Sequence, residues 1–325
     1  MSILIKGAGV AGLVLAYELR RRGLNVTLND TAPSGGHGAS YYAGGMLAPW
    51  CERESANETV FELGLSAADW WEQALPGLVH RKGTLVVAQN RDRVELERFA
   101  KRTNGYQWLD ENGVAALEPA LAGRFQRGLY FAGEAHLDPR KALRSLQEKL
   151  ENCGVTMSFS QRLATPLRTF SSVVDCTGPS AIGTIKGLRG VRGEMLMLET
   201  RDIQLTRTVR VLHPRHPIYI VPRGEGRFML GATMIESNDG SEASARSIME
   251  LLNIAFALHP AFGEARILET GAGVRPAFIN NTPRIVKTRD GIAITGLYRH
   301  GFLAAPALAK EAADLLQRSR RKGAA

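Results

Sequence analysis

Cysteine is scarce: Cys51, Cys153 and Cys176 are the whole complement of a 325-residue chain. Three widely spaced thiols match neither the even count of a disulfide framework nor the paired spacing of a zinc site, so reduced thiols are expected, at least two of them buried. Long apolar runs are also lacking. No stretch reaches the roughly 18 residues of a membrane-spanning helix, and the start MSILIKGAG has neither the basic flank nor the cleavage site of a secretory signal, so a cytoplasmic chain without a bilayer is expected. Low-complexity blocks and solenoid-period repeats are missing, and 44% hydrophobic with 22% charged residues is the composition of a folded domain. Acidic charge is in deficit, with 32 Asp and Glu against 41 Lys and Arg for a formal net charge of +9. The one dense basic run is RSRRKG near the end, a frayed solvated tail, so no nucleic-acid partner is expected. A positive field gathered near a cleft would instead attract a small carboxylate.

What the sequence does have begins at Ile3, in ILIKGAGVAGLVLAYELRRRGLNVTLND. Ile3, Leu4 and Ile5 suit a buried parallel strand. Gly7, Gly9 and Gly12 then supply a tight turn, a close backbone approach to a pyrophosphate, and close packing of helix on sheet. Leu13, Ala16, Tyr17 and Leu19 mark the apolar face of the helix, and Arg20, Arg21 and Arg22 read as its solvated last turn. Gly23 stops it. Asn25 to Leu28 form the next strand, and Asp30 at its end can accept bonds from ribose hydroxyls, which favours an unphosphorylated ribose. The fingerprint does not separate FAD from NAD.

Beyond Asp30 runs TAPSGGHGASYYAGGMLAPWCERES, a long loop of small residues against which something large and flat can lie. Residues 58–75 place Phe61, Leu65, Ala68 and Trp71 at helical spacing, with Trp70 and Trp71 read as core. HRKGTLVVAQ reads as a strand and RDRVELERFAKRTNG as a surface helix. Asp138 is placed to cap a helix beginning at Pro139, and VTMSFS and SSVVDCTGPSA read as strands that rejoin the first sheet. The segment from RGEMLMLETR to HPIYIVPRGEGRFMLGATM alternates as antiparallel strands do. GIAITGLYRHGFLAAPALAKEAADLLQR gives a strand, a turn and a helix from near Ala304 or Ala305, whose N-terminus can face a second anionic group. The expected fold class is therefore α/β. A discontinuous nucleotide-binding domain takes residues 1–74, 138–190 and 271–325, and an interleaved antiparallel β-rich substrate domain takes 75–137 and 191–270.

Taken together, GAGVAG, Asp30, GASYYAGGMLAP, DCTGP, GEMLML, YIVPR, GATM, GVRP and YRHGFLAAP resemble the D-amino acid oxidase family of flavoproteins over nearly the whole chain. The nearest likeness is to its glycine-oxidising branch in thiamine biosynthesis. The resemblance implies FAD, tightly but not covalently held, and contacts from Gly7, Gly9, Val10, Ala11, Gly12, Asp30, Thr31, Gly38, Ala39 and Ser40. Gly44, Gly45 and Met46 would border the flavin, with Leu163, Thr177 and Gly178 also on the cofactor. The loop Leu297, Tyr298, Arg299, His300, Gly301, Phe302 and Leu303 would meet its pyrimidine edge. Asp30 stands where the family more often has glutamate, and the stretch from Asp30 to Met46 is one residue longer than usual.

For the substrate, the resemblance places Arg275, Tyr219 and Arg299 around a carboxylate and Met234 as the wall that narrows the pocket. A guanidinium, planar and always charged, binds a carboxylate through two parallel N–H groups. His213, His216 and His300 are assigned no acid–base role, because the implied chemistry needs mainly orientation. The implied reaction is oxidation of glycine or another small amino acid to the imine, with dioxygen converted to hydrogen peroxide and the imine passing to thiazole assembly. Open alternatives are a related amine or D-amino acid substrate and a flavin-bearing electron-transfer or protein-modifying role. A nicotinamide-dependent reductase would need a second glycine fingerprint, which is missing. Homo-oligomerisation is left open, and no metal is expected.

Overall fold

Ile3, Leu4 and Ile5, all 3% exposed or less, make Ser2–Lys6 a central strand rather than an edge. It pairs in parallel with Asn25–Asn29 on one side and with Ser172–Asp175 on the other. In the computed structural model, which describes residues 2–34, 38–163 and 165–323 and no side chains over 319–323, this strand organises a six-stranded sheet. Thr156–Ser158 closes one edge, and the antiparallel pair Arg284–Thr288 and Gly291–Thr295 closes the other. The helix Val10–Arg21 packs on this sheet beside Pro139–Asn152 and Gly301–Gly323, sharing one apolar core. The Asp138 carboxylate accepts from the N–H groups of Arg140 and Lys141, the cap expected from the sequence.

A second sheet of nine strands builds the other half. Its spine is the long antiparallel pair Leu188–Glu199 and Arg266–Phe278, extended by Arg227–Gly231, Ile218–Gly224 and Thr208–Leu212. Thr84–Ala88 then joins Thr208–Leu212 in parallel. The alternation in GEMLML and YIVP thus becomes antiparallel sheet, and the molecule is α/β with the parallel and β-rich layers that the sequence called for.

Four local expectations need correction. The last helix begins at Gly301, earlier than Ala304 or Ala305. Pro306 has no N–H for the Phe302 carbonyl, which makes a start near Pro306 attractive from sequence. In the fold the fully buried indole of Trp71 donates to that carbonyl at 2.9 Å, so the helix runs through the proline. Residues 58–75 form two helices, Glu58–Gly64 and Ala67–Ala74, and Leu65 is 53% exposed at their junction. The small-residue stretch after Asp30 is not loop throughout: Met46–Leu47 pairs with Ala135–His136, and Pro49–Arg53 is a short helix with Cys51 buried. Nor are all three arginines of the first helix end merely solvated, because Arg20 reaches the Leu24 and Cys153 carbonyls and Arg22 bonds Asp314. The basic tail expected to fray lies, from Ser319 on, outside the described side chains.

Cys51 and Cys176 are buried and Cys153 is exposed, all of them free thiols. Among the described residues no helix is long and apolar enough to cross a membrane, and no cluster of side chains could hold a metal ion.

Candidate active site

At the nucleotide end the backbone carries the geometry. Gly7 sits at φ +98°, and a Cβ there would meet the Cys176 carbonyl oxygen at 2.4 Å. A Cβ on Gly12 would lie 1.9 Å from the Gly7 carbonyl oxygen, so helix and turn touch only because both positions are bare. Gly9 caps the helix without a side chain, and the first turn carries no acid. That leaves the positive end of the helix facing the turn, where Ser40 Oγ takes the Val10 N–H at 3.1 Å. The Asp30 carboxylate accepts from Ala8 N at 2.6 Å and from Ala32 N at 2.8 Å, which ties the turn to the end of the second strand. Thr31 is exposed beside it. Thr177 donates from both N and Oγ1 to Asp175, and Gly178 follows at φ +62°.

The last helix points its N-terminus at the first. A Cβ on Gly301 would approach Val10 Cγ1 at 3.1 Å, so two helix N-termini, neither with an acid in its first turn, converge. The loop entering the last helix is shaped by Gly296 at φ +75° and Tyr298 at φ +50°. Leu297, Phe302 and Leu303 fill the core behind it, with Leu303 packed on Gly64. Gly45, at φ +72°, lies over Leu137 and Pro139, while Gly44 lies flat against the Tyr219 ring, where a Cβ would come within 2.5 Å. Ala39 packs on Gly273. These bare backbones and paired positive helix ends fit a flat, anionic dinucleotide such as FAD. Gly38 is exposed, Leu163 is half-buried, and neither is shown in contact with the other expected cofactor residues. The neighbouring positions 35–37 lie outside the described residues.

At the opposite end the site is built from side chains. Arg275, on the strand Arg266–Phe278, lays its guanidinium over Gly193 of the paired strand, where a Cβ would be 1.9 Å from Nη2. Nη1 donates to the Thr233 carbonyl at 3.1 Å, and among the described residues no carboxylate pairs with it. Burial is the largest influence on its pKa and pulls it below the ordinary value. With Tyr219, Arg299, Met234 and Arg210 it lines a small cavity of about 20 Å³. Tyr219 is wedged between Gly44 and Gly231. Met234, 47% exposed, brings its sulfur within 3.3 Å of Tyr298 Oη and 3.5 Å of Arg299 Nη1. The structure therefore gathers all four expected substrate residues at one cavity.

It also adds residues that the sequence reading passed over. Glu52, 4% exposed, receives Arg299 Nη2 at 3.0 Å and lies 3.8 Å from Arg210. His300 Nδ1 stands 3.1 Å from Glu52 Oε2. Both atoms are buried and make no hydrogen bond to any other described residue, so each is the other's nearest polar neighbour. Burial pushes the Glu52 carboxyl up, but Arg299, His300 and Arg210 outweigh it and hold the group well below the carboxylate range. Glu134, 1% exposed, accepts from Cys51 N at 2.7 Å, and burial raises its carboxyl to about 7. Arg223 donates to the Gly44 carbonyl at 2.8 Å and fixes that backbone.

A model of the DAO family, described as FAD dependent oxidoreductase, matches residues 2–315. The protein of Rhizobium etli assigned by name to thiamine biosynthesis as the oxidoreductase ThiO is 60% identical over 316 residues, covering 97% of this chain and 96% of its own. A glycine oxidase of Pseudomonas aeruginosa is 26% identical, covering 97% and 94%. In three dimensions the chain is similar to the glycine oxidase of Geobacillus kaustophilus, with a TM-score of 0.82 at 23% identity over 97% of this chain and 94% of that one, a likeness of fold. The family expected from the sequence motifs is borne out: this chain belongs to the DAO family of FAD dependent oxidoreductases.

Proposed function

We propose that the protein oxidises glycine, or an amine of similar size, to the corresponding imine for thiamine biosynthesis. The observation that carries this reading is Arg275, a half-buried guanidinium at a small cavity with no carboxylate among the described residues to answer it. A substrate carboxylate supplies the missing partner through two parallel N–H bonds. Tyr219, held between two glycines, closes one side, and Met234 closes another. Bound FAD supplies the two-electron acceptor. Glycine gives up one amine proton and an α-hydrogen with its electron pair, and the protein's part is to fix the carboxylate so that the α-carbon has one orientation. His300 Nδ1 faces the Glu52 carboxylate at 3.1 Å, and His300 is not among the residues that line the cavity, so it is given no role as a base. Arg299 is likewise engaged by Glu52, which leaves Arg275 as the carboxylate anchor.

Support for glycine as substrate and for the thiamine setting comes from the ThiO and glycine oxidase relatives. Dioxygen as acceptor, a cytoplasmic site and the discontinuous two-domain division belong to the same proposal. So do the cofactor contacts, at Gly7 to Gly12, Asp30 and the Leu297 to Leu303 loop above all. The test is direct. Glycine added to the purified yellow protein should yield hydrogen peroxide in proportion to glycine consumed, and should bleach the visible absorbance when oxygen is excluded. No bleaching with glycine, sarcosine or D-alanine would end the amine-oxidase reading.

A further inference from the structure

Arg275 is aimed by a residue that does not itself line the Arg275 cavity. In the antiparallel ladder beside it, Gly231 faces Met195 and Ile235 faces Arg192, so three residues, Ala232 to Met234, stand opposite two, Gly193 and Glu194. The surplus residue makes a β-bulge, and Thr233 is at its centre. In a regular ladder Glu194 would exchange two backbone bonds with the residue opposite. One is kept, from Thr233 N to the Glu194 carbonyl at 3.2 Å. The other is redirected, because the Glu194 N–H donates to Thr233 Oγ1 at 2.9 Å. The Thr233 carbonyl is thereby released from the sheet and accepts Arg275 Nη1 at 3.1 Å, with the guanidinium lying over Gly193. The Glu194 carboxylate does not compete for Arg275, since Arg192 Nε holds it at 2.7 Å and Ser244 bonds it from both N and Oγ. The same bulge delivers Met234 to the wall between the Arg275 cavity and an outer one of about 240 Å³.

We propose that Thr233 is a positioning residue of the substrate site: its hydroxyl stands in for a carbonyl in the sheet, which frees that carbonyl to fix the direction of the Arg275 guanidinium. The proposal rests on the reading of Arg275 as the carboxylate anchor and says what aims it. A planar fork binds a carboxylate through two bonds only when its plane is set. Among the described residues the Thr233 carbonyl is the one hydrogen-bond acceptor that Arg275 has. Without the hydroxyl, the N–H of Glu194, a residue 1% exposed, is left with no acceptor unless the carbonyl at position 233 turns back into the ladder and leaves Arg275. The threonine thus acts on the substrate through the arginine.

The experiment compares the wild-type holoenzyme with Thr233→Val, Thr233→Ser, Arg275→Lys and the double variant of Thr233→Val with Arg275→Lys. In Thr233→Val the KM for glycine should rise about tenfold, the lower end of what a hydrogen bond to a charged group is worth, with kcat within about threefold and flavin per chain unchanged. Glycolate, which has a hydroxyl where glycine has its amine, should weaken by the same factor as a competitor. Thr233→Ser keeps the hydroxyl and should stay within about twofold of wild type. In the Arg275→Lys background, the change at position 233 should add less than about twofold, because its effect passes through the guanidinium. A full effect in both backgrounds overturns the proposal. So does a lowered thermal midpoint with KM and glycolate affinity unmoved, the mark of a merely structural bulge. Should glycine not be oxidised at all, the amine-oxidase reading fails by itself. Glycolate's shift of the thermal midpoint, lost in Thr233→Val and kept in Thr233→Ser, then still supports the role of Thr233. An equal shift in wild type and Thr233→Val, or none in wild type, overturns it. If Thr233→Val yields no flavoprotein, Thr233→Ala, which leaves room for a water at the Glu194 N–H, is judged by the same outcomes.

Discussion

The two ends of the active site are built from different materials. At the nucleotide end, bare backbone meets bare backbone, Gly12 on Gly7 and Gly7 on Cys176, with Gly9 at the helix start and Gly301 beside the Val10 side chain. At the carboxylate end, charged side chains from distant parts of the chain converge, with Glu52 joined to Arg210, Arg299 and His300. The first arrangement is local in sequence at the Gly7 to Gly12 turn, and where one backbone faces another, as Gly12 faces Gly7, it has no room for an added atom. The second is long-range and depends on charges neutralising one another away from water. An added methyl should therefore be ruinous where it meets backbone at the first end, and a removed charge ruinous at the second.

The largest effect is expected from Gly12→Ala. The new Cβ would stand 1.9 Å from the Gly7 carbonyl oxygen, a backbone atom that cannot move without opening the turn. The variant should purify colourless, with flavin per chain near zero, and unfold at markedly lower temperature. Gly9→Ala is the internal control. Its Cβ would lie 3.2 Å from Ser40 Oγ, a side chain that can rotate away, so much of the flavin should remain. Equal flavin content in the two variants would break the claim that backbone contact decides this end.

Next comes Arg275→Lys, at the end made of side chains. Lysine keeps the charge but offers a point rather than a fork. Steady-state kinetics with glycine should show KM raised by roughly ten- to a hundredfold, the worth of a hydrogen bond between charged groups, with flavin content unchanged. Unaltered kinetics would mean that the substrate carboxylate binds elsewhere.

Glu52→Gln should cost stability rather than flavin. Removing one partner of a buried ion pair leaves the others uncompensated, and about 3–5 kcal/mol is the usual cost. The sign of the pH dependence follows from the depressed carboxyl. Its contribution is fully present above the ordinary value of 4.5 and is lost as pH falls toward the much lower folded value. Chemical denaturation at pH 7 and below pH 4.5 should therefore show the gap between wild type and variant narrowing in acid. A constant gap would sink the account of Glu52 as the neutralising charge.

The same contrast decides what could be read from sequence. The glycine turn, the Asp138 cap and the alternation of the β-rich strands are set by neighbours within a few residues, and each was legible. Glu52 was not, because its partners lie 158 to 248 positions away by number and a glutamate in PWCERES looks solvated. One signal did exist. Arg210 in TVRVL is a charge inside a run of buried residues, and a buried guanidinium demands an anion from somewhere in the chain. The start of the last helix was misjudged for a related reason: the bond that lets it pass Pro306 comes from Trp71, far off in sequence.

The smallest effect, and the one that best separates the inner pocket from its surroundings, is expected of Met234→Ala. This side chain is 47% exposed, so its loss should change stability by less than about 1 kcal/mol. Its position matters more than its burial, because it borders both the 20 Å³ and the 240 Å³ cavities. Truncation joins them and gives an α-substituent room that wild type denies. Turnover of D-alanine relative to glycine should rise about fivefold, below the roughly ten- to two-hundredfold that a fully enclosed methylene commands, since half of Met234 already faces solvent. L-alanine should stay poor. With the carboxylate fixed on Arg275, opening the Met234 side frees one direction from the α-carbon and leaves the other against Tyr219, which Gly44 and Gly231 hold in place. A D-alanine to glycine ratio equal to that of wild type, or a gain for the L-isomer, would show that Met234 does not bound the substrate and that the α-carbon faces another wall.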